Sequence, residues 1–333
     1  MSTPDRIITY GEAVREAISE EMRRDETVFF MGEDVAAAGG VFKVTVGLLD
    51  EFGEDRVRDT PISEAGIMGA GVGAALTGMR PIVEIMFGDF MTIAMDQIVN
   101  QAAKMCYMTG GQASVPLTVR TTIGAGRSSA AQHSQSLQAW LSHIPGVKVA
   151  IPSTPGDLKG LLKTAIRDEN PTVIYEDKLM YSMRGPVPDD DDYTIPFGVA
   201  DVKREGTDVS IIATSSMVHT SLKAADLLEK EQISVEVVDP RTLSPLDTDT
   251  IVQSVMKTSR AVVIDEAYQS YGVTGELASR ISDEAFDYLD APVKRIGAMD
   301  VPVPFSPGLE PETIPNEEKL VQTVRGLFHD VPV

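Results

Sequence analysis

The chain has 333 residues, 29 basic and 50 acidic, for a formal net charge of −21. That balance argues against nucleic acid as a partner, because gripping phosphates takes Lys and Arg; it fits a solvated surface, one also able to steer a basic partner. Hydrophobic residues make up 43%, enough for a large core and by length roughly two domains, yet no stretch has the ~18 uncharged apolar residues of a membrane span.

The N-terminus, MSTPDRIITYGEAVREA, lacks the apolar core of a secretory signal. Thr9 and Glu12 form a capping box for a helix running to about Arg24, with Ala13, Val14, Ala17, Ile18 and Met22 on one apolar face. VFFMG (28–32) reads as a buried strand, and RVRDT (56–60) as a short one. A Gly- and Ala-rich helix follows at 65–78, and PIVEIM (81–86) is the next strand, opened by a proline that the first strand position tolerates. A long helix is expected at about 90–108. It carries the one cysteine, Cys106, in the apolar run MCYM, which reads as a packed thiol. With no internal disulfide available, a reducing, cytoplasmic location is expected. Strands at PLTVRT (116–121), VKVAIPS (147–153) and TVIYED (172–177) follow, and Pro155 after Thr154 opens a helix to about Arg167. SMRGPVPDDDDYTIPFG (182–198) breaks the rhythm with prolines and an aspartate run, and reads as an interdomain linker. The alternation resumes with DVSIIAT (208–214), a helix at about 217–231, SVEVVDP (234–240), AVVIDEA (261–267) and VKRIGA (293–298). Strands alternating with helices imply an α/β fold, a parallel sheet covered on both faces with a smaller α/β domain behind it. No fixed short repeat is present.

Open parallel sheets bind ligands beyond the carboxyl ends of their strands. DTPISEAG (59–66) is such a place, and it sets Glu64 in a first helical turn. An acid there also complements a helix dipole with no further role. The glycines at 69, 71 and 73 lie inside the helix, not at a strand–helix turn, so they indicate close packing and not a dinucleotide loop. Of the histidines at 133, 143, 219 and 329, no pair has a metal-ligand spacing. His133 stands apart in GAGRSSAAQHSQS (124–136), a small polar loop after a strand, where function concentrates. His143 precedes a turn. No Gly-x-Ser-x-Gly elbow, Walker loop or Cys-x-x-Cys pair is present.

Together MGEDV (31–35), DTPISEAG (59–66), GMRPIVEIMFGDF (78–90), DQIVNQAAK (96–104), AAQHSQS (130–136), KGLLKTAIRDENP (159–171) and VVIDEA (262–267) carry a resemblance across nearly the whole chain. The chain resembles the beta subunits of thiamine diphosphate-dependent dehydrogenases acting on pyruvate, branched-chain 2-oxo acids or acetoin. EMRRDETVFFMGEDV, MFGDF, HIPGVKV, KLMYSMRG and YTIPFG look most like the acetoin type. The resemblance implies a thiamine diphosphate-binding fold. A pyrimidine-binding, transketolase-like domain would span 1–190, and a transketolase C-terminal-like domain at 191–333 would serve assembly and core docking.

It further implies roles. Glu64 matches the glutamate that contacts the cofactor's aminopyrimidine ring nitrogen; a carboxyl sharing a proton there stabilises the tautomer that activates the thiazolium. Phe90 matches an aromatic residue packed on the pyrimidine. His133 matches the active-site histidine that assists substrate addition and transfer to lipoyl groups, with Ser134 and Gln132 as candidates to orient it. Leu117, Ala165, Ile166, Asp168 and Asn170 fall where some members bind a potassium ion, mostly through backbone carbonyls; a hydrogen-bonded helix end explains them equally. The family's Gly-Asp-Gly magnesium motif is absent: Gly88-Asp89 is followed by Phe90, and no asparagine stands at the matching spacing. The resemblance therefore implies an alpha subunit holding magnesium and the diphosphate, an alpha2-beta2 heterotetramer, and a lipoyl acyltransferase core as a further partner. The expected enzyme is an oxidoreductase that decarboxylates a small 2-oxo acid or cleaves acetoin and acylates lipoamide. Two rivals stay open: a split transketolase or synthase subunit, and a non-catalytic scaffold subunit.

Overall fold

The computed structural model describes residues 6–329. It divides into two compact units. The first holds the chain up to Ile123 together with Trp140–Phe197, and the second holds Gly124–Ala139 together with the chain from Gly198.

In the first unit, six strands pair in parallel in the order Lys148–Ala150, Thr172–Asp177, Thr118–Ile123, Arg80–Phe87, Val28–Gly32, Val57–Asp59. The first helix spans Tyr10–Arg24 and is capped reciprocally by Thr9 and Glu12. Its stripe of Ala13, Val14, Ala17, Ile18 and Met22 is buried in the core. That helix packs on Pro155–Arg167, whose Thr154 cap accepts from the Asp157 amide. Lys159 and Lys163 are buried between the two helices, and both reach Glu20, at 2.7 and 2.5 Å. Burying ammonium groups is tolerable only when they are paired in this way. The glycine-rich helix spans Glu64–Leu76. A Cβ on Gly71 would lie 2.7 Å from Val83 Cγ2, so the helix rests on the strand at glycine distance. Gly73, by contrast, faces open space.

Three expectations are corrected here. The segment at 90–108 is not one α-helix. A 3₁₀ turn at Gly88–Thr92 and a π segment at Gln97–Ala102 precede a short helix, Ala103–Met108. The wider π turn brings Ile98, Ala102 and Ala103 inward together. Cys106 is not packed: it is exposed, with Tyr107 87% exposed beside it. Consecutive apolar residues on a helix cannot all face the core, and composition does not say which face wins. Nor is 182–198 a free linker. Arg184–Val187 pairs antiparallel with Arg6–Thr9, and Val187 and Ile195 are buried in the first core. The aspartates stay at the surface, where Asp189 meets Arg6 at 3.1 Å. The boundary between the units falls after Phe197.

The second unit has its own sheet, in the order Lys294–Ala298, Ala261–Tyr268, Val209–Ala213, Val235–Asp239, Asp201–Arg204. The last strand runs antiparallel at the edge and escaped the sequence reading, because DVKR has no apolar run. Two apolar layers sandwich this sheet. Among the described residues, no helix is long and apolar enough to cross a membrane.

Candidate active site

Val28–Gly32, Val57–Asp59 and Arg80–Phe87 are neighbours in one parallel sheet. Their carboxyl ends therefore open on the same edge, where ligands collect in such sheets. Glu33 follows the first strand, the 60–63 loop and Glu64 follow the second, and Phe90 follows the third. Glu64 is the first residue of its helix, after an N-cap, Ser63, that makes no side-chain capping bond. Its side chain sits where the helix dipole favours negative charge, yet the residue is only 8% exposed, more enclosed than a surface helix end requires.

Two buried polar atoms, one on the 60–63 loop and one in the π segment, lack partners. The Thr60 amide donates to the Gly32 carbonyl at 2.9 Å, but Thr60 Oγ1 is buried without a hydrogen bond, as is Gln97 Oε1. Buried hydroxyls and amides almost always find partners. Ile62 on the same loop is 75% exposed, and Ile93 after the third strand 55%. The 60–63 loop leading into Glu64 thus carries both an unpartnered buried hydroxyl and an uncovered apolar side chain, features that a polar heteroaromatic ring would satisfy. Phe90 is half-buried and meets Phe87 edge to face, centroids 5.8 Å apart. Sequence reasoning passed over Glu33 as a site residue. Burial raises its carboxyl pKa, and the charges of Asp34 and Glu64 raise it further, so Glu33 belongs to the electrostatic surroundings of Glu64. The signal available was an acid directly after a buried strand.

His133 belongs to the second unit, within Gly124–Ala139. Its loop alternates left-handed residues: Gly124 (φ 97°), Gly126 (92°), Ser128 (51°) and Ala130 (61°). Such values cost about 1–3 kcal/mol at each non-glycine and persist only where surroundings over-determine them. His133 is half-buried, and its amide donates to the Ala130 carbonyl at 3.4 Å. The expected orienting role of Ser134 is not met: Ser134 Oγ is buried and makes no hydrogen bond. Gln132 is exposed.

A buried ion cluster also escaped the sequence reading. Arg120 donates to Glu84 at 2.5 Å and to both oxygens of Glu176 at 2.7 Å. Tyr181 donates its hydroxyl to Glu176 at 2.7 Å. Burial opposes the Arg120 charge, but Glu176 and Glu84 outweigh it and raise its pKa. Burial is the largest effect on Glu84 and pushes its carboxyl up against the pull of Arg120.

The residues matched to a potassium site meet at the end of the helix Pro155–Arg167. Arg80 donates to the carbonyls of Ile166 at 3.0 Å and Asp168 at 3.1 Å. Ala165 O accepts from the Asp168 amide, and Leu117 O from the Thr172 amide. Asn170 donates through its amide and Nδ2 to Asp168 Oδ1, each at 2.9 Å. Each of these carbonyls keeps a second lone pair, and an all-oxygen donor set suits a hard cation. Arg80 places one positive charge there, and Lys148, paired with the Asp168 carboxylate, places a second.

Residues 6–183 match the transketolase pyrimidine binding domain, and residues 198–320 the transketolase C-terminal domain. The chain is 52% identical to the beta subunit of acetoin:2,6-dichlorophenolindophenol oxidoreductase from Bacillus subtilis (strain 168), over 97% of this chain and 98% of that protein. It is 48% identical to the pyruvate dehydrogenase E1 component subunit beta of Rhizobium meliloti (strain 1021), over 97% of this chain and 70% of that protein. It is 45% identical to the 2-oxoisovalerate dehydrogenase subunit beta of Bacillus subtilis, over 96% and 98% of the two. A split gene transketolase, solved as an inactive beta4 tetramer, superposes with TM-score 0.75 over 96% of this chain and 98% of that one; at 24% identity it bears on the fold alone. Two matched domains in order, with likeness over at least 96% of this chain to three named beta subunits, establish that the chain belongs to the beta subunits of thiamine diphosphate-dependent 2-oxo acid and acetoin dehydrogenases.

Proposed function

We propose that this chain is the beta half of a dehydrogenase component that decarboxylates a small 2-oxo acid, or cleaves acetoin, and transfers the acyl group to a lipoyl arm. The observation that carries this reading is the buried carboxylate of Glu64 in the first helical turn beyond the carboxyl end of the sheet. Thiamine diphosphate, when bound, supplies the nucleophilic carbon and the electron sink. Glu64 holds or moves a proton at the pyrimidine ring nitrogen, and Phe90 packs on the ring face. His133 supplies a proton during transfer. In that transfer the carbonyl carbon is oxidised to the acyl level, the lipoyl S–S bond is reduced, and one sulfur takes the acyl group while the other takes a proton.

Gly88-Asp89-Phe90 lacks the second glycine of the family's magnesium motif, so the magnesium–diphosphate half is assigned to an alpha partner in an alpha2-beta2 assembly. A lipoyl acyltransferase core is the acceptor. Coexpression with an alpha-type chain carrying that motif tests the whole reading. Given thiamine diphosphate, magnesium and a dye acceptor, the pair turns over pyruvate, a branched-chain 2-oxo acid or acetoin, and each chain alone does not. Full turnover by the alpha chain alone identifies a scaffold instead, and ketol transfer without lipoamide identifies a split transketolase.

A potassium ion held by Leu117, Ala165, Ile166, Asp168 and Asn170 is proposed with it, sharing carbonyls with Arg80. Exchanging potassium for tetramethylammonium at constant ionic strength should then lower Tm by a few degrees, about 1 kcal/mol of binding linkage. An unchanged Tm removes the ion.

A further inference from the structure

The loop bearing His133 is built around anions that the chain itself supplies. Alternating left-handed residues at 124, 126, 128 and 130 turn backbone N–H groups to one side, the geometry of an anion-binding nest. Glu310, 3% exposed, occupies it. One carboxylate oxygen accepts from the Gly126 amide at 2.7 Å and the other from the Ser128 amide at 2.9 Å. Glu266 accepts from the Ala125 amide at 2.5 Å. At the far end of the loop, Gln138 Nε2 donates to both oxygens of Asp265, at 3.0 and 2.9 Å. All of these groups lie in the second unit.

We infer that Glu310 is a positioning residue for the His133 loop: its carboxylate is the bound anion that holds the loop in its left-handed conformation. Charge-assisted bonds are about twice as strong as neutral ones, and a two-oxygen clamp fixes direction as well as distance. Glu266 and Asp265 hold the loop's ends, whereas Glu310 grips the strained stretch itself. Ser128 and Ala130 have no glycine freedom there, so the conformation depends on the clamp. The C-terminal domain thereby acquires a task in the chemistry besides assembly. The functional consequence rests on the proposed role of His133; the structural one does not.

Hydrogen exchange on the reconstituted alpha–beta complex tests it. In Glu310→Ala, the amides of 126 and 128 should exchange about tenfold faster, as expected for lost charge-assisted bonds, while those of the strands Val209–Ala213 and Ala261–Tyr268 keep their protection. Formate, a free carboxylate small enough for the vacated nest, should restore protection. Acyl transfer to lipoamide should fall about tenfold and recover with formate, with thiamine diphosphate affinity unchanged. Unaltered exchange overturns the inference. Faster exchange that formate does not reverse overturns it too, since the loss then reflects damage around position 310. His133→Ala separates the two readings: if that variant transfers acyl groups normally, the histidine's role is wrong, and the exchange result still decides the clamp.

Discussion

Complex assembled with Glu64→Gln in the beta chain should turn over about a thousandfold more slowly than wild type, within the range of general acid–base contributions. The amide is nearly isosteric and can still hydrogen-bond a ring nitrogen, but it cannot exchange a proton with it. Thiamine diphosphate affinity should change by less than about tenfold, because a hydrogen bond of roughly 1 kcal/mol is what binding alone would lose. The expected signature is a loss in kcat with little change in cofactor affinity or Tm. Glu33 sharpens the test, since its carboxyl is raised partly by the Glu64 charge. Removing that charge lets Glu33 ionise more readily. Turnover within tenfold of wild type would show that Glu64 has no proton to manage.

The second large effect is on stability. Arg120→Met leaves Glu84 and Glu176, on the strands flanking it, buried without their cation. Breaking a buried ion cluster from one side costs about 3–5 kcal/mol, which lowers Tm on the order of 10 °C for a domain of this size. The deficit should depend on pH with a definite sign. Burial already raises the Glu84 carboxyl in the wild type, and losing Arg120 raises it further. A folded-state pKa above the unfolded value favours folding at low pH and loses that contribution as pH rises through it. Arg120→Met should therefore lie closer to wild type at about pH 5.5 than at about pH 8. Adding Glu84→Gln and Glu176→Gln to the variant should recover part of the loss, because neutral amides leave no buried charge to strand. A Tm within a degree or two of wild type at both pH values would mean that water reaches the cluster.

What the chain's own order of residues determined is local. Thr9 and Glu12 cap the first helix, and Thr154 with Pro155 starts another, because caps and fixed φ angles act within three or four residues. TVIYED forms a strand over the residues expected, Thr172–Asp177, since a continuous apolar run between turn signals has one economical conformation. Glu64 in a first helical turn was legible for the same reason, and the likeness of motifs spread along the chain supplied the family. Tertiary structure decided what depends on distant partners. Arg120 finds Glu84 and Glu176 at 36 and 56 residues' separation, and the His133 loop takes its anions from 141 and 184 residues away. No periodicity encodes such pairs, because they arise only once the sheets and loops are packed. Cys106 turned outward and 182–198 folded down for the same reason: an apolar or acidic run states what a segment is made of, whereas neighbouring elements decide which of its sides is covered.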